Sequence, residues 1–279
     1  MINIRKLEKS DKFGYFFWIK YNGKFFDAFD KIKNKKTIKE EFEISLKKLG
    51  ISWAKGIQQG GRTDSGVSAN KNLLYISTYF NGDLEKLKND FNYLNKHLKI
   101  IKIEKTIPNL VIPDIIQMRE YIYTYPKEKI DISEYEIIEK CKSLSGEYDL
   151  SEFTDFKGKK LKNPIRKVNI IYENNSLVFK GNSFLPKQIR IMSSYIFTNT
   201  KKIFPAKYLT LNNIILKKEY QNLIIKEIKE LSINDVTKIE KLNDIYILYT
   251  NDKSALIGKR GKNIKKLRKK LGNVIIKGN

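Results

Sequence analysis

The chain has 279 residues, enough for one large domain or for a domain of about 200 residues with a small module attached. Its 55 Lys and Arg stand against 31 Asp and Glu, a net charge of +24, and 41% hydrophobic residues supply a packed core, which excludes a disordered basic tail. One Cys and one His exclude a disulfide framework and an ordinary structural zinc site, and the lone His97, set in an Asn/Lys-rich stretch, argues against a Ser-His-Asp hydrolase.

From the N-terminus, MINIRKLEKSDKFG lacks the apolar core of a signal peptide, and no later run approaches the ~18 apolar residues of a membrane span. A soluble protein of a reducing, cytoplasmic compartment is expected. Residues 13–21 (FGYFFWIKY) read as a strand. Thr37-x-x-Glu40 is a capping box that opens a helix with Ile38, Phe42, Leu46 and Leu49 on one stripe and Gly50 as its stop. A strand is predicted at 51–57, then a glycine-rich loop (GGRTDSGVSAN), then a strand at 73–80. Asp83 caps a second predicted helix, whose face carries Leu84, Leu87, Phe91, Leu94 and Leu98, and a strand follows at 98–105. The order β-α-β-β-α-β is that of a ferredoxin-like unit.

The second half repeats that rhythm without repeating the sequence. Residues 119–125 alternate as a strand, 131–144 fit a helix, 165–172 and 176–181 form a hairpin around Asn174-Asn175, and a helix is predicted from 184 to 203. Two such halves, 1–110 and 111–225, could pair their sheets and leave a cleft between them. The fold class expected is therefore α+β, two ferredoxin-like halves with mainly antiparallel sheets around a central cleft. Near 225–235 the texture changes to a charged connector with helical character, and 244–250 (DIYILYT) is a clean strand.

The last segment, 235–279, reads as strand, short helix, GxxG, helix, strand, with Gly258-Lys259-Arg260-Gly261 between the helices. This βααβ layout resembles a KH module, in which two glycines let the backbone approach phosphates. Residues 253–270 hold nine basic residues and no acidic one. Gly258, Lys259, Arg260, Gly261, Lys262, Lys265 and Lys266 are the candidate RNA contacts. A solvated basic helix with a glycine turn would leave the same local pattern. The net charge has the same ambiguity: it suits a polyanion, most simply a nucleic acid, but 48 of the 55 basic residues are Lys, so compositional bias contributes.

The most informative stretch is Gly60-Gly61-Arg62-Thr63-Asp64-Ser65-Gly66-Val67. It is neither a Walker A loop nor a dinucleotide-binding fingerprint. Glycines permit sharp turns, and Arg62 two residues before Asp64 offers that carboxylate a local partner. By themselves these residues fit a turn with a surface ion pair as well as a catalytic carboxylate.

GRTDSGVSA resembles the GRTDAGVHA signature of TruA-type tRNA pseudouridine synthases. Further segments resemble that family's landmarks in the same order: Tyr21-Asn22-Gly23-Lys24-x-Phe26, Arg119-x-Tyr121-x-Tyr123, Gly146-Glu147-Tyr148-Asp149-Leu150, Gly181-Asn182-Ser183-Phe184-Leu185 with Arg190, and Phe204-Pro205-Ala206-Lys207-Tyr208-Leu209. The resemblance spans about residues 13–212. It implies conversion of uridine to pseudouridine in tRNA, in the anticodon arm, by a homodimer that needs no metal or organic cofactor. Asp64 would be the catalytic carboxylate, attacking the nucleotide covalently or removing a sugar proton by way of a glycal. Arg62 would help displace the target base and, with Thr63, contact the substrate. Tyr121 would stack on the flipped uracil, Arg190 would pair with Asp64, and Phe184 and Leu185 would wall the pocket. Arg166 and Lys187 are candidate phosphate contacts.

The departures from that family cluster. Ala28-Phe29 replaces GW, Asp30 replaces the following Gln, Ser68 replaces the His of GVHA, 110–116 (LVIPDII) replaces HARFSA, and Pro186-Lys187 replaces a Tyr-His pair. Retained chemistry with altered substrate recognition is expected, the KH-like module standing in for lost contacts. The competing readings are a catalytically silent RNA-binding protein or RNA chaperone and, more distantly, a DNA-binding regulator.

Overall fold

The structure, a computed structural model, describes residues 4–156, 161 and 163–279. A short helix α1 (Ile4–Lys9) leads into β1 (Phe13–Tyr21), an aromatic strand in which only Lys20 is exposed. Helix α2 (Ile38–Lys48) begins where Thr37 Oγ1 accepts from the Glu40 amide, and its Phe42 packs edge-on against Phe17 at 5.1 Å. The segment 51–57 is not the expected strand. It bends at Ala54 and Lys55, buries Ile51 and Ile57 as separate anchors, and pairs only through β2 (Gln58–Gln59).

β3 (Ser68–Thr78) starts five residues earlier than predicted and pairs antiparallel with β1 and β2. Asp83 Oδ1 caps α3 (Leu84–Leu94) through the Glu85 and Lys86 amides. Leu87 and Phe91 of that helix are buried, but Leu98 is not on it. Asn95 leaves the helix, held by the Phe91 carbonyl and Ser45, and Leu98 opens β4 (Leu98–Thr106) on the outer side of β1.

In the second half a single turn, α4 (Ile112–Ile115), runs into β5 (Ile116–Tyr123). A full capping box, Ser133 with Glu136, opens α5 (Glu134–Ser143), followed by β6 (Gly146–Asp149). β7 (Ile165–Glu173) and β8 (Ser176–Gly181) form the expected hairpin, with Asn174 and Asn175 in the left-handed conformation its turn requires. Helix α6 (Gln188–Thr198) is shorter than predicted. Pro186 and a left-handed Lys187 delay its start, and Asn199, also left-handed, ends it. Then come β9 (Leu209–Leu216) and a turn of helix, α7 (Lys218–Gln221).

The two halves share one nine-stranded sheet, ordered β4-β1-β3-β9-β5-β8-β7-β6 with β2 added to β3. Every pairing is antiparallel except β3 with β9, where the halves meet over Ser68–Thr210 and Ala69–Leu211. From that seam a row of paired residues crosses the sheet, Ala69, Leu211, Tyr121 and Phe179. The fold is thus α+β with a large, mainly antiparallel sheet, as expected.

A separate sheet closes the chain. β10 (Lys226–Glu227), β11 (Lys238–Leu242), β12 (Ile245–Thr250), helices α8 (Lys253–Ile257) and α9 (Lys262–Leu271), and β13 (Asn273–Gly278) give the order β10-β11-β12-β13, with β12 and β13 parallel. The stretch 228–237 is not helical. Ile228, Leu231, Ile233 and Val236 instead cover a small core of Ile239, Leu248, Leu256, Val274 and Ile276. The other face of this sheet, with Leu242, Ile245, Ile247, Tyr249 and Ile275, joins the large core.

A buried polar knot completes that junction. Lys105 of β4 places its ammonium 2.8 and 2.7 Å from the two oxygens of Glu240 and 3.6 Å from the centre of the Phe13 ring. Tyr249 donates to Glu240 at 2.7 Å, Lys238 pairs with it at 2.8 Å, and Lys277 donates to the carbonyl of Leu7 at the end of α1. Among the described residues no helix is long and apolar enough to cross a membrane.

Candidate functional site

The glycine-rich loop between β2 and β3 lies on the seam of the two halves, and buried side chains hold it from below. Asn72, fully buried on β3, accepts from the Gly61 amide at 3.2 Å and donates to its carbonyl at 2.8 Å. Asn72 Nδ2 also donates to the Tyr21 hydroxyl at 3.2 Å, which in turn bonds Thr63 Oγ1 at 2.9 Å. From above, Gly23 sits where a Cβ would come 2.3 Å from the Val67 carbonyl oxygen, and its amide donates to Ser68 Oγ at 3.1 Å. Glycine is needed there because backbone meets backbone. The Val67 amide donates to the Asp64 carbonyl at 3.1 Å, closing a turn that leaves the Asp64 side chain partly open to solvent.

Asp64 borders a cleft of about 620 Å³. Arg190, reaching across from α6, donates through Nη1 to Asp64 Oδ2 at 2.9 Å, while its Nε donates to the Phe204 carbonyl at 2.5 Å. Two fixed partners immobilise the guanidinium and, through it, one carboxylate rotamer. The local partner expected for Asp64 is not the one observed. The Arg62 side chain is 72% exposed and lies 3.6 Å from Asp30, the residue that departs from the family pattern.

Tyr121 lines the same cleft from β5, and Phe184 packs edge-on against its ring at 5.3 Å. Burial, with a smaller push from Asp64 and against the pull of Arg119, raises the Tyr121 pKa to about 12, so the phenol is neutral at neutral pH. Tyr123, two residues on, is a core aromatic instead. It is fully buried, its hydroxyl donates to the Pro205 carbonyl, and it packs with Tyr125, Phe204 and Tyr208.

The cleft therefore brings together Arg62, Thr63, Asp64, Tyr121, Phe184, Leu185, Lys187 and Arg190. Thr63 is buried and turns its hydroxyl to Tyr21, which makes it a support of the loop. Lys187 is paired with Asp155 at 2.5 Å, and Arg166 lies outside the cleft, bonded to the carbonyls of Asn163 and Ile165.

Three supports escaped sequence reasoning. Asn72 anchors the loop. Arg119 donates through Nε to the Gly60 carbonyl at 2.8 Å and also bonds the Asn182 carbonyl. Gln188 is buried, and its side-chain oxygen accepts from the Leu185 amide at 2.8 Å, fixing the apolar wall. An Asn directly before the apolar run Leu73–Ile76 was a usable signal, since Asn is disfavoured in strands unless its amide has work to do.

The candidate RNA contacts of the last module form a second surface. Gly258, Arg260 and Gly261 all take positive φ (73°, 53° and 72°), which turns the chain sharply from α8 into α9. Lys259, Arg260, Lys262, Lys265 and Lys266 are exposed, while Ile264, Leu267 and Leu271 face the small core. The loop thus presents cations and backbone amides together at a helix N-terminus, an arrangement suited to phosphates.

Known proteins bear on both surfaces. A family model described as KH domain matches residues 218–279. The chain is 30% identical to the tRNA pseudouridine synthase A of Streptococcus gordonii over 214 residues, covering 68% of this chain and 84% of that protein. It is 30% identical over 202 residues to the tRNA pseudouridine synthase A of Streptococcus agalactiae, covering 62% and 76%. The corresponding protein of Streptococcus uberis is 28% identical over 199 residues, covering 62% and 78%. Among solved structures, the chain aligns with one from the crystal structure of a Cbf5-Nop10-Gar1 complex at 14% identity and a TM-score of 0.33, over 77% of this chain and about half (49%) of that one.

Proposed function

The chain belongs to the tRNA pseudouridine synthase A family, and from that premise we propose that it isomerises uridine to pseudouridine in tRNA, in the anticodon arm, with Asp64 as the catalytic carboxylate. The observation that carries this reading is the convergence of Asp64, Arg190 and Tyr121 on one cleft from three separate segments of the chain. The reaction breaks the N1–C1′ bond of uridine and forms C5–C1′. The proton lost from C5 is matched by one gained at N1, so no external reagent is consumed. Asp64 has two routes to the first step, addition to C1′ or removal of the C2′ proton, and Arg190 holds its carboxylate for either.

A base paired or stacked in RNA must leave the helix before its glycosidic bond is reachable. The neutral ring of Tyr121, backed by Phe184, supplies a stacking surface that offsets part of that cost. Arg62, exposed and among the described residues paired with Asp30 at 3.6 Å, can exchange that partner for a phosphate or for the space vacated by the base. The enzyme acts in the cytoplasm as a homodimer. Its GKRG loop and α9 give the same RNA a second, electrostatic hold in place of rim contacts that the cleft lacks.

Two measurements test this. tRNA from a strain lacking the protein is incubated with wild type and with Asp64→Ala, and pseudouridines are mapped chemically. Wild type should modify it, and Asp64→Ala should bind it without modification. No modification by wild type leaves a silent RNA-binding protein, and equal activity of the variant removes Asp64 from the chemistry. The second hold is tested in the full chain by Lys259→Asp with Arg260→Asp, because deleting the module would bare the part of the large core that its Ile245, Ile247 and Tyr249 cover. tRNA affinity should fall about tenfold or more with a shallower salt dependence. Unchanged affinity sinks the second hold.

A further inference from the structure

The short 3-10 turn Gly23–Phe25 after β1 carries two successive aromatics with opposite fates. Phe26 is buried, whereas Phe25 is 40% exposed. Phe25 lies flat on the imidazole of His97, ring centres 3.4 Å apart and planes 9° from parallel. Among the described residues, Phe25 belongs to neither hydrophobic core. The charges of exposed Lys36 and Lys96, half-buried Lys99 and the acid Glu41 reach His97, and exposed Lys24 directly precedes Phe25 in the chain. The stack is also tied to the catalytic loop by backbone. The Asn22 amide donates to the His97 carbonyl at 3.1 Å, and Gly23, next in the chain, is the residue seated on Val67.

We propose that the open face of Phe25, backed by His97, is a stacking platform for an unpaired base of the RNA substrate, next to the one entering the cleft. This rests on the RNA-modifying reading above and adds a binding site to it. A planar aromatic pair ringed by lysines matches what single-stranded nucleic acid offers, a base to stack and phosphates to neutralise. Partial burial together with Lys96 and Lys36 lowers the His97 pKa, so the imidazole is neutral at neutral pH and stacks as an uncharged ring. The platform fixes the strand beside the target while the cleft holds the target, which makes Phe25 a residue of substrate choice.

The test uses the full chain and tRNA transcripts carrying 2-aminopurine at single unpaired positions, with wild type, Phe25→Leu and Phe25→Trp. Leu keeps the apolar bulk and loses the ring. At one position wild type and Phe25→Trp should quench the fluorescence while Phe25→Leu should not, and Phe25→Leu should bind about 5- to 100-fold more weakly, the range expected for one stacked base. Lys24→Gln with Lys96→Gln, which leaves the stack intact, should reduce the salt slope by about 1.5. Affinity and quenching unchanged in Phe25→Leu overturn the proposal, and so does a loss that Trp does not restore. Repeating the binding on an Asp64→Ala background separates this outcome from that of the catalytic assignment, because stacking needs no turnover.

Discussion

Arg190 has two partners, and the second gives the first its value. The bond from Nε to the Phe204 carbonyl fixes the plane of the guanidinium, so the bond from Nη1 to Asp64 arrives from one direction only. A lysine there carries the same charge on a single flexible point and cannot serve both acceptors in one plane. Arg190→Lys is therefore expected to lower single-turnover pseudouridine formation about 10- to 100-fold while leaving tRNA affinity within about threefold. A variant with full rate would mean that Asp64 does not depend on Arg190 for its orientation. At this scale the sequence was informative wherever a residue belonged to a motif, as Asp64, Tyr121 and Arg190 do. It was silent on Asn72 and Gln188 and gave the motif residue Arg119 no role; all three bond backbone atoms. A side chain bonded to the backbone leaves no complementary residue to be found elsewhere in the chain. Proximity in sequence alone pointed to Arg62 as the partner of Asp64, because it places that residue on the loop but not its guanidinium, whereas the motif resemblance pointed to Arg190, which is the partner found.

The loop of Gly60–Val67 is an element whose shape comes from what surrounds it. β1 ends beneath it at Tyr21, β3 supports it with Asn72, and the turn after β1 presses Gly23 onto Val67. Gly23→Ala would place a Cβ 2.3 Å from the Val67 carbonyl oxygen, against backbone on both sides, so one of the two segments must move. The expected result is a loss of stability of about 1–3 kcal/mol, the usual cost of overpacking, joined to a loss of turnover as the Asp64 loop shifts. Thermal unfolding and single-turnover rates on the same samples check it. A stability loss with full turnover would show that the loop is positioned without Gly23. The elements themselves were read well where a periodicity had caps, as in α2, α3 and the β7–β8 hairpin. They were misread where composition or pattern suited two structures. The charged connector near 225–235 read as helical, yet its Ile228, Leu231, Ile233 and Val236 line an irregular segment that covers a small sheet. Pro186 with a left-handed Lys187 likewise cut α6 short, although the apolar pattern ran on through it.

At the scale of the whole molecule, β1 connects two functions. Its last residue, Tyr21, touches the Gly60–Val67 loop, and its first, Phe13, lies against the ammonium of Lys105 at the junction with the C-terminal module. Eight steps of extended chain separate these ends by about 27 Å. The module therefore stands at a fixed remove from the cleft, and the span is as rigid as the Lys105–Glu240 knot allows. Burial disfavours the Glu240 carboxylate, but Lys105 and Lys238 more than offset that and hold its pKa below the ordinary 4.5. A carboxyl with a depressed folded pKa adds stability that is complete above its unfolded value and is lost as pH falls through its folded one. Glu240→Gln removes this contribution and leaves Lys105 buried without its counter-ion, which costs about 3–5 kcal/mol at neutral pH. In urea unfolding followed by Trp fluorescence, the gap between wild type and Glu240→Gln should be widest near pH 7 and narrow below about pH 4.5. Replacing both partners, Lys105→Met with Glu240→Leu, should recover much of the loss, since no buried charge is then stranded. If Glu240→Gln unfolds within about 1 kcal/mol of wild type at pH 7, the knot does not hold the module, and the second RNA contact would have to act from a mobile position. A rigid docking also predicts that Glu240→Gln weakens tRNA binding, although Glu240 lies buried, because releasing the module lowers the effective concentration at which its surface meets RNA held in the cleft.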